Sequence, residues 1–381
     1  MGGHVPFPGE AFGVRLVLAP GSAAALEGRE PAGEMGAQPA ADLSAELLDV
    51  AHGRTLTYQT LVREGGRMSA ARTTTQGPRT GPGNAGAEGS GTETSGNGSS
   101  GTEDSGPVRY ERRGAVAVVT MDRPRYRNAQ NSAMTYALDR AFYRAAADDG
   151  VKVVVLAGAG EHFSAGHDIG TPERDAHLPF ERRAGLWWDH SDKEGAESRF
   201  ARESEVYLGM CRRWRELPKP VVASVQGACV AGGLMLAWIC DLIVASEDAF
   251  FADPVVRMGI PGVEYFAHPW VMPPRIAKEF LYTGDRMSAR RAHEVGMVNH
   301  VVPREELADR TMELADRIAA MPRMGLALTK RAVNQAEDLQ GLHTGMDAVF
   351  GLHHLAHAHN AETARDPLGG MDVHAMKAAE S

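Results

Sequence analysis

From Thr73 to Gly106 the sequence contains no Val, Ile, Leu, Met or aromatic residue, only Gly, Ser, Thr, Pro, Ala and Asn with a few charged or amide side chains. Such a stretch cannot bury enough apolar surface to offset the entropy of ordering it. It reads as a flexible linker, and it forces any sizeable packed domain to lie after Pro107. Upstream, most of the chain is too rich in Ala, Gly and Pro to promise a domain. The apolar spacing of Leu43, Leu47, Val50 and Ala51 predicts one short amphipathic helix over Asp42 to Ala51. Residues 1–106 are therefore expected to form a mostly disordered extension, dispensable for the fold and for ligand affinity.

The 381 residues carry 43% hydrophobic side chains but no uninterrupted apolar run of the length a spanning helix needs, about 18 residues. The start Met1-Gly2-Gly3-His4-Val5-Pro6 lacks a basic segment followed by an apolar one, so a cytoplasmic location with no membrane partner is expected. Three cysteines, Cys211, Cys229 and Cys240, are an odd number in a long chain, which argues for reduced thiols. A net charge of -9 gives no electrostatic footprint for nucleic acid.

After Pro107 the pattern alternates. Ala115 to Met121 and Lys152 to Leu156 are β-branched runs too short for helices, and Ser132 to Asp148 between them has helical apolar spacing. The unit recurs with a helix over Arg202 to Leu217, a strand at Val221 to Val225, a small-residue helix at Gly232 to Cys240 and a strand at Leu242 to Ala245. This predicts an α/β fold of right-handed βαβ units with parallel strands buried on both faces. Beyond Pro274 the pattern is helical, near 275–281, 288–295, 305–321 and 325–337, with one apolar run at Val298 to Val302. The expected organisation is an α/β core over 107–274, a helical region over 275–365 and a flexible tail over 366–381.

Two glycine-containing turns follow predicted strands: His162-Phe163-Ser164-Ala165-Gly166-His167-Asp168 and Gln226-Gly227-Ala228-Cys229-Val230-Ala231-Gly232-Gly233. Glycines at a helix start let the backbone approach a ligand closely, and the free N–H groups there attract negative charge. Two such turns could aim two donors at one oxygen, which is the physical requirement of an oxyanion hole. Either turn alone is a weak signal, since paired glycines at a helix start more often serve tight packing.

Taken together, five segments form a specific pattern. They are Arg123-Pro124-Arg125-Tyr126-Arg127-Asn128-Ala129; Phe163 to Asp168; Lys219-Pro220-Val221-Val222-Ala223-Ser224-Val225-Gln226-Gly227; Ala231-Gly232-Gly233 through Cys240-Asp241; and Thr283-Gly284-Asp285-Arg286 followed by Ala292 and Gly296. In order and spacing, over roughly residues 108 to 365, they resemble the enoyl-CoA hydratase/isomerase (crotonase) superfamily. The resemblance implies a crotonase-like spiral of ββα repeats with a helical C-terminal region, assembled as a trimer or a dimer of trimers. It implies an acyl-CoA thioester substrate, with coenzyme A entering as part of the substrate and no separate cofactor. The thioester carbonyl would be held by backbone N–H groups at His167 and Gly232. Arg127, Ala165, Asp168 and, more weakly, Lys330 would fall on the coenzyme A side.

The departures from that pattern are chemical. Hydratases of the superfamily carry two glutamates at positions occupied here by Met235 and Val255, and some isomerases carry an aspartate where this chain has Val263. None of these three can exchange a proton, so they fall to the acyl pocket, as do Trp187 and Trp188, which lie with Phe180 and Leu186 in the insertion after the first turn. Plain core packing is the alternative for the two tryptophans. Glu264, next to Val263, is the candidate acid or base, expected to have a raised pKa if it lies among apolar neighbours. Its alternative is a helix-start carboxylate. Asp253 is the second candidate, with a turn role before Pro254 as the competing reading.

His353, His354, His357 and His359 place imidazoles at i and i+4, a spacing that can hold a metal on one helical face. No HExxH pattern accompanies them, and a surface or assembly-contact helix is expected, with no metal. The sequence thus supports two functions. One is an acyl-CoA enzyme of lyase or isomerase type whose enolate rests on two amides; the other is a non-catalytic acyl-CoA-binding or assembly paralogue.

Overall fold

The β-branched runs become strands and the apolar-periodic segments become helices, with few boundaries displaced. The structure, a computed structural model, describes residues 106–366 except 184 and 186, residue 368, and three short strands nearer the N-terminus. Those three are β1 (Leu16–Val17), β2 (Ala45–Asp49) and β3 (Arg54–Tyr58), an antiparallel sheet in which Leu47 faces Leu56 in register. The helix expected over 42–51 is therefore corrected to a strand. A partner run, Arg54-Thr55-Leu56-Thr57-Tyr58, is rich in residues that favour strands, and pairing with it overrides a helical spacing carried by only four apolar residues. The linker expected over 73–106, apart from its last residue, and most of the tail after 366 lie outside the described residues.

The main sheet has the order β12-β9-β7-β6-β5-β4. β4 (Val108–Arg113) and β5 (Val116–Met121) form a hairpin, α1 (Ser132–Ala147) crosses over, and β6 (Val153–Gly158) pairs parallel to β5. A long helical stretch follows, made of α2 (Gly195–Arg202), a π-helical segment (Glu203–Gly209) and α3 (Met210–Arg215). Where the sequence predicts a plain helix over 202–217, the helix starts earlier and carries a π-helical segment, a feature frequent at functional sites.

β7 (Val221–Val225) joins β6 in parallel, β8 (Ala228–Val230) leaves for a second sheet, α4 (Gly232–Trp238) returns, and β9 (Leu242–Ser246) pairs with β7. β10 (Phe250–Ala252) pairs with β8 in that second sheet. The chain then runs through α5 (His268–Val271), α6 (Pro274–Thr283), β11 (Met287–Ser288), α7 (Ala289–Glu294), β12 (His300–Val302), α8 (Leu307–Ala319), α9 (Arg323–Leu339) and α10 (Leu342–Thr363).

The main sheet is covered on both faces, as its β-branched runs require. Along β6, Val154 and Leu156 enter the larger core with Phe142, Phe163 and Trp214, while Val153 and Val155 enter a second core against Leu307 and Ala315 of α8. Each such side chain contributes about 1.5–3 kcal/mol on burial, which makes the sheet a rigid platform. The carboxyl ends of β6 and β7 feed the two glycine turns, the place where open parallel sheets generally bind ligands. No helix among the described residues is long and apolar enough to cross a membrane.

Candidate active site

Three loops are tied together before any ligand arrives. Asn128, fully buried, accepts the Arg123 N–H and donates to the carbonyls of Ala159 and His162, while the Ser164 hydroxyl donates to the Asn128 carbonyl. Arg127 and Asn128 occupy the left-handed region at φ 51° and 54° to make this possible. Asn131 then caps α1 by accepting the Met134 N–H. The turn after β6 is pinned to the turn after β7 by the bridge between Ser164 and Cys229.

At the contact of these turns the glycines are required. A side chain on Gly166, at φ 95°, would come within 2.8 Å of the Val230 carbonyl oxygen and 3.1 Å of the Gly232 nitrogen. One on Gly232 would stand 2.6 Å from the His167 ring, and one on Gly233 would stand 2.5 Å from the Ser164 carbonyl oxygen. Ala231, which starts α4, holds a positive φ of 48° that an alanine rarely adopts. Among the described residues, the backbone N–H groups of His167 and Gly232 have no acceptor. Donors at neighbouring turns, unspent on the protein itself, are what an oxyanion site requires.

A cavity of about 550 Å³ opens beside these turns. Arg127, Ala165 and Asp168 line it, as do Val255, Val263 and Glu264. Glu264 is buried, and its Oε2 lies 3.1 Å from Nε2 of His167. The His167 ring in turn stacks on Tyr207 of the π-helical segment, with ring centres 3.7 Å apart. Burial alone would push the Glu264 carboxyl up, but the adjoining imidazoles of His167 and, further off, His353 bring it down to about 2. The raised pKa expected from an apolar setting is corrected: the lone carboxylate is not alone, and it stands in its ionised form.

Behind Glu264 the cavity wall is formed by Glu203, His353 and His357. His353 Nε2 lies 3.3 Å from a Glu203 oxygen and 3.9 Å from a Glu264 oxygen. Burial would lower the His353 pKa, yet the Glu203 and Glu264 carboxylates outweigh it and push it up to about 9. His354, next to it, is pushed down to about 4, chiefly by burial. The expectation that these histidines lie on the surface is corrected for His353 and His357, which are buried on the inner face of α10.

Four other expectations are corrected by placement. Asp253 is fully buried outside the cavity lining; its Oδ2 lies 2.9 Å from His268 Nε2 and accepts the Val263 N–H at 3.2 Å, so it ties down the turn that presents Glu264. Lys330 is buried away from the cavity, its Nζ donating to Asp241 at 2.9 Å and to the Lys219 carbonyl at 3.2 Å. Met235 packs in the core rather than against the cavity. Trp187 and Trp188 stack on each other at 4.3 Å outside the lining, with Trp187 also against Phe200 and Trp188 45% exposed. Conversely, sequence reasoning missed Glu203 and Tyr207. They lie in a segment that matches no motif, and only the π-helical turn, invisible in the sequence, marks it.

The sequence model of the enoyl-CoA hydratase/isomerase family matches residues 111–366. This chain belongs to that family. It is 47% identical over 266 residues to the protein named putative enoyl-CoA hydratase EchA13 of Mycobacterium tuberculosis, with 67% of this chain and 82% of that protein covered. It is 32% identical over 233 residues to a carnitinyl-CoA dehydratase of Salmonella enteritidis, covering 60% of this chain and 80% of that protein. Among solved structures, a probable enoyl-CoA hydratase from Mycobacterium smegmatis superposes with a TM-score of 0.62 at 43% identity, covering 68% of this chain and 98% of that one. The fold is thus that of the family, and the matched range spans all five linked segments.

Proposed function

We propose that the protein is an acyl-CoA-processing enzyme that moves a proton on a carbon next to, or conjugated with, the thioester carbonyl. The observation that carries this reading is one ionised, buried carboxylate, Glu264, held by His167 in the cavity beside the two glycine turns. The thioester oxygen would accept hydrogen bonds from the N–H groups of His167 and Gly232. Glu264 would take the proton: the C–H bond breaks, an O–H bond forms on the carboxyl, and the electron pair moves to the thioester oxygen as an enolate. Returning the proton to the same carbon or to the γ carbon completes an exchange or a double-bond shift. His167 acts twice, as an amide donor and, through its ring, as the residue that positions Glu264.

Family membership supports the substrate class, since relatives named as enoyl-CoA hydratases and as carnitinyl-CoA dehydratases are named for coenzyme A thioesters. Arg127, joined in the lining by Arg174 and Arg199, supplies positive charge suited to the phosphates of coenzyme A. The family resemblance also favours a homotrimer or a dimer of trimers, which measuring the molar mass in solution by light scattering would check.

The test is a panel of saturated and unsaturated acyl-CoA thioesters in deuterated water, following turnover, carbon-bound deuterium and binding together. Glu264→Gln is expected to lower turnover and exchange by about a hundredfold or more while leaving thioester affinity near that of the parent. Asp253→Asn is expected to keep most of the turnover of each folded molecule. The opposite pair of results would move the proton transfer to Asp253. Tight binding across the panel with neither turnover nor exchange would place the protein among non-catalytic acyl-CoA binders.

A further inference from the structure

The wall that includes Glu264 contains three groups whose possible ligand atoms converge. His353 Nε2 and His357 Nε2 are 3.0 Å apart, on successive turns of α10, and Glu203 Oε2 lies 3.3 Å from His353 Nε2. The ligand atoms of all three lie within 4.8 Å of one another, and all three residues are buried. Glu203 Oε2 makes no hydrogen bond of ordinary geometry among the described residues despite that burial. The three are drawn from two elements, the π-helical segment and α10, that the fold packs side by side.

The outer contacts of the cluster are those of a metal centre. His353 Nδ1 lies 2.8 Å from the Gly262 carbonyl oxygen, an oxygen that can only accept. That contact places a ring proton on Nδ1 and turns Nε2 toward His357 and Glu203, so Nε2 is the nitrogen that would bind an ion once any proton on it is displaced. Histidine ligands are characteristically held in this way, by a backbone carbonyl on the ring nitrogen that does not bind the ion. Ligand bonds of ~2.0–2.1 Å at a tetrahedral centre separate the donor atoms by about 3.3 Å, close to the spacings between His353 and its two neighbours. All three residues also line the cavity, so a further coordination position would be open to water or substrate.

We propose that Glu203, His353 and His357 form a binding site for a divalent transition-metal ion of the zinc type at the inner end of the cavity. Two imidazoles and one carboxylate suit a borderline cation and are poor ligands for calcium or magnesium. The site is independent of the proton-transfer reading given above, because binding is measured without any thioester. The groups around it are His354, whose Nε2 is 3.3 Å from Glu203 Oε2, and Glu264, whose Oε1 is 3.9 Å from His353 Nε2. Both carboxylates favour a cation between them, and the ion must displace any imidazole proton, so affinity is expected to strengthen as pH rises.

The experiment uses the full-length chain, stripped with a chelator and titrated with Zn²⁺ alone by calorimetry and with Co²⁺ by visible absorption. One ion per chain is expected, with Co²⁺ giving the absorption of a nitrogen- and oxygen-ligated tetrahedral or five-coordinate ion. His357→Gln and Glu203→Gln, each checked for native circular dichroism, are expected to weaken binding by about a hundredfold or more, whereas His354→Ala leaves it within a few-fold. Zn²⁺ is also expected to raise the melting temperature of the parent but not of these two variants. Absence of stoichiometric binding would overturn the proposal and leave the cluster as a proton-sharing imidazole pair. Binding unchanged in both variants but lost in His343→Ala would overturn it too, assigning the ion to the more exposed Glu216, Asp338 and His343 group.

Discussion

The cavity has two walls of different origin. One is backbone: the turns over 163–168 and 226–233, where glycine conformations and unspent amides make the surface. The other is side chain: Tyr207 and Glu203 from the π-helical segment and His353 and His357 from α10, packed around the His167–Glu264 pair. A backbone wall constrains nearly every residue that builds it, because a Cβ in the wrong place collides with a carbonyl. A side-chain wall constrains only what a few positions carry, and the helices beneath it can present other chemistry without refolding. On the proposed reading, the first wall would bind the thioester oxygen and the second would set the particular reaction.

The sharpest way to break that division is Gly232→Ala. The added methyl would stand 2.6–3.0 Å from the His167 ring, which is itself stacked on Tyr207 and cannot simply retreat. The change should displace the ring from Glu264 and crowd the donor in one step, lowering turnover by about a hundredfold or more. Circular dichroism and thermal melting should show the fold retained. A variant with parental turnover would mean that the contact between the two turns is not where the thioester is held.

A second experiment probes what fastens the backbone wall. Asp168 Oδ2 lies 3.1 Å from Arg123, Oδ1 accepts the Thr171 N–H at 2.9 Å, and both charged side chains are buried. Burial would raise the Asp168 carboxyl, but the hydrogen bonds from Thr171 and Arg123 outweigh it and hold it below its ordinary value. The folded state therefore binds fewer protons here than the unfolded chain, and the stabilisation is complete above the ordinary carboxylate range and lost as pH falls through the folded-state value. Asp168→Asn leaves Arg123 with Glu173 and the Ala129 carbonyl, so the expected cost is about 2–4 kcal/mol near neutral pH. Denaturant midpoints of parent and variant should converge as pH drops below about 4. A difference that stayed constant across that range would show that the ion pair is not what Asp168 contributes.

These two experiments also mark how far the sequence could be read. The strands at 116–121, 153–158 and 221–225 and the helix at 132–147 were legible because their periodicity is satisfied locally and confirmed by burial on both sheet faces. The family resemblance grouped His167, Val255, Val263 and Glu264, and these four line the cavity, but it grouped Met235 and the two tryptophans with them, and those do not. The charge state of Glu264 was not legible, because the groups that set it are 97 and 89 residues away in sequence at His167 and His353. Lys330 and Asp253 misled for the same reason: each is a charged residue near a motif whose partner, Asp241 or His268, is fixed only by packing.

The smallest expected effect tests the outer limit of the side-chain wall. Trp187 and Trp188 were natural candidates for an acyl pocket, because large aromatic rings in an insertion beside the site suit an apolar ligand. Their stacking partners point elsewhere. Trp188 covers one face of Trp187 and is otherwise 45% exposed, and Trp187 leans on Phe200, which continues the aromatic contacts to Phe350 and His354 rather than into the cavity. Trp188→Ala removes one side of a half-exposed stack and creates no buried cavity, so stability should change by about 0.5 kcal/mol or less. Since neither ring lines the 550 Å³ space, kcat/KM should stay within about twofold of the parent for short and long acyl chains alike. A loss that grows with acyl length would instead extend the side-chain wall to the tryptophans and give the insertion a part in substrate selection.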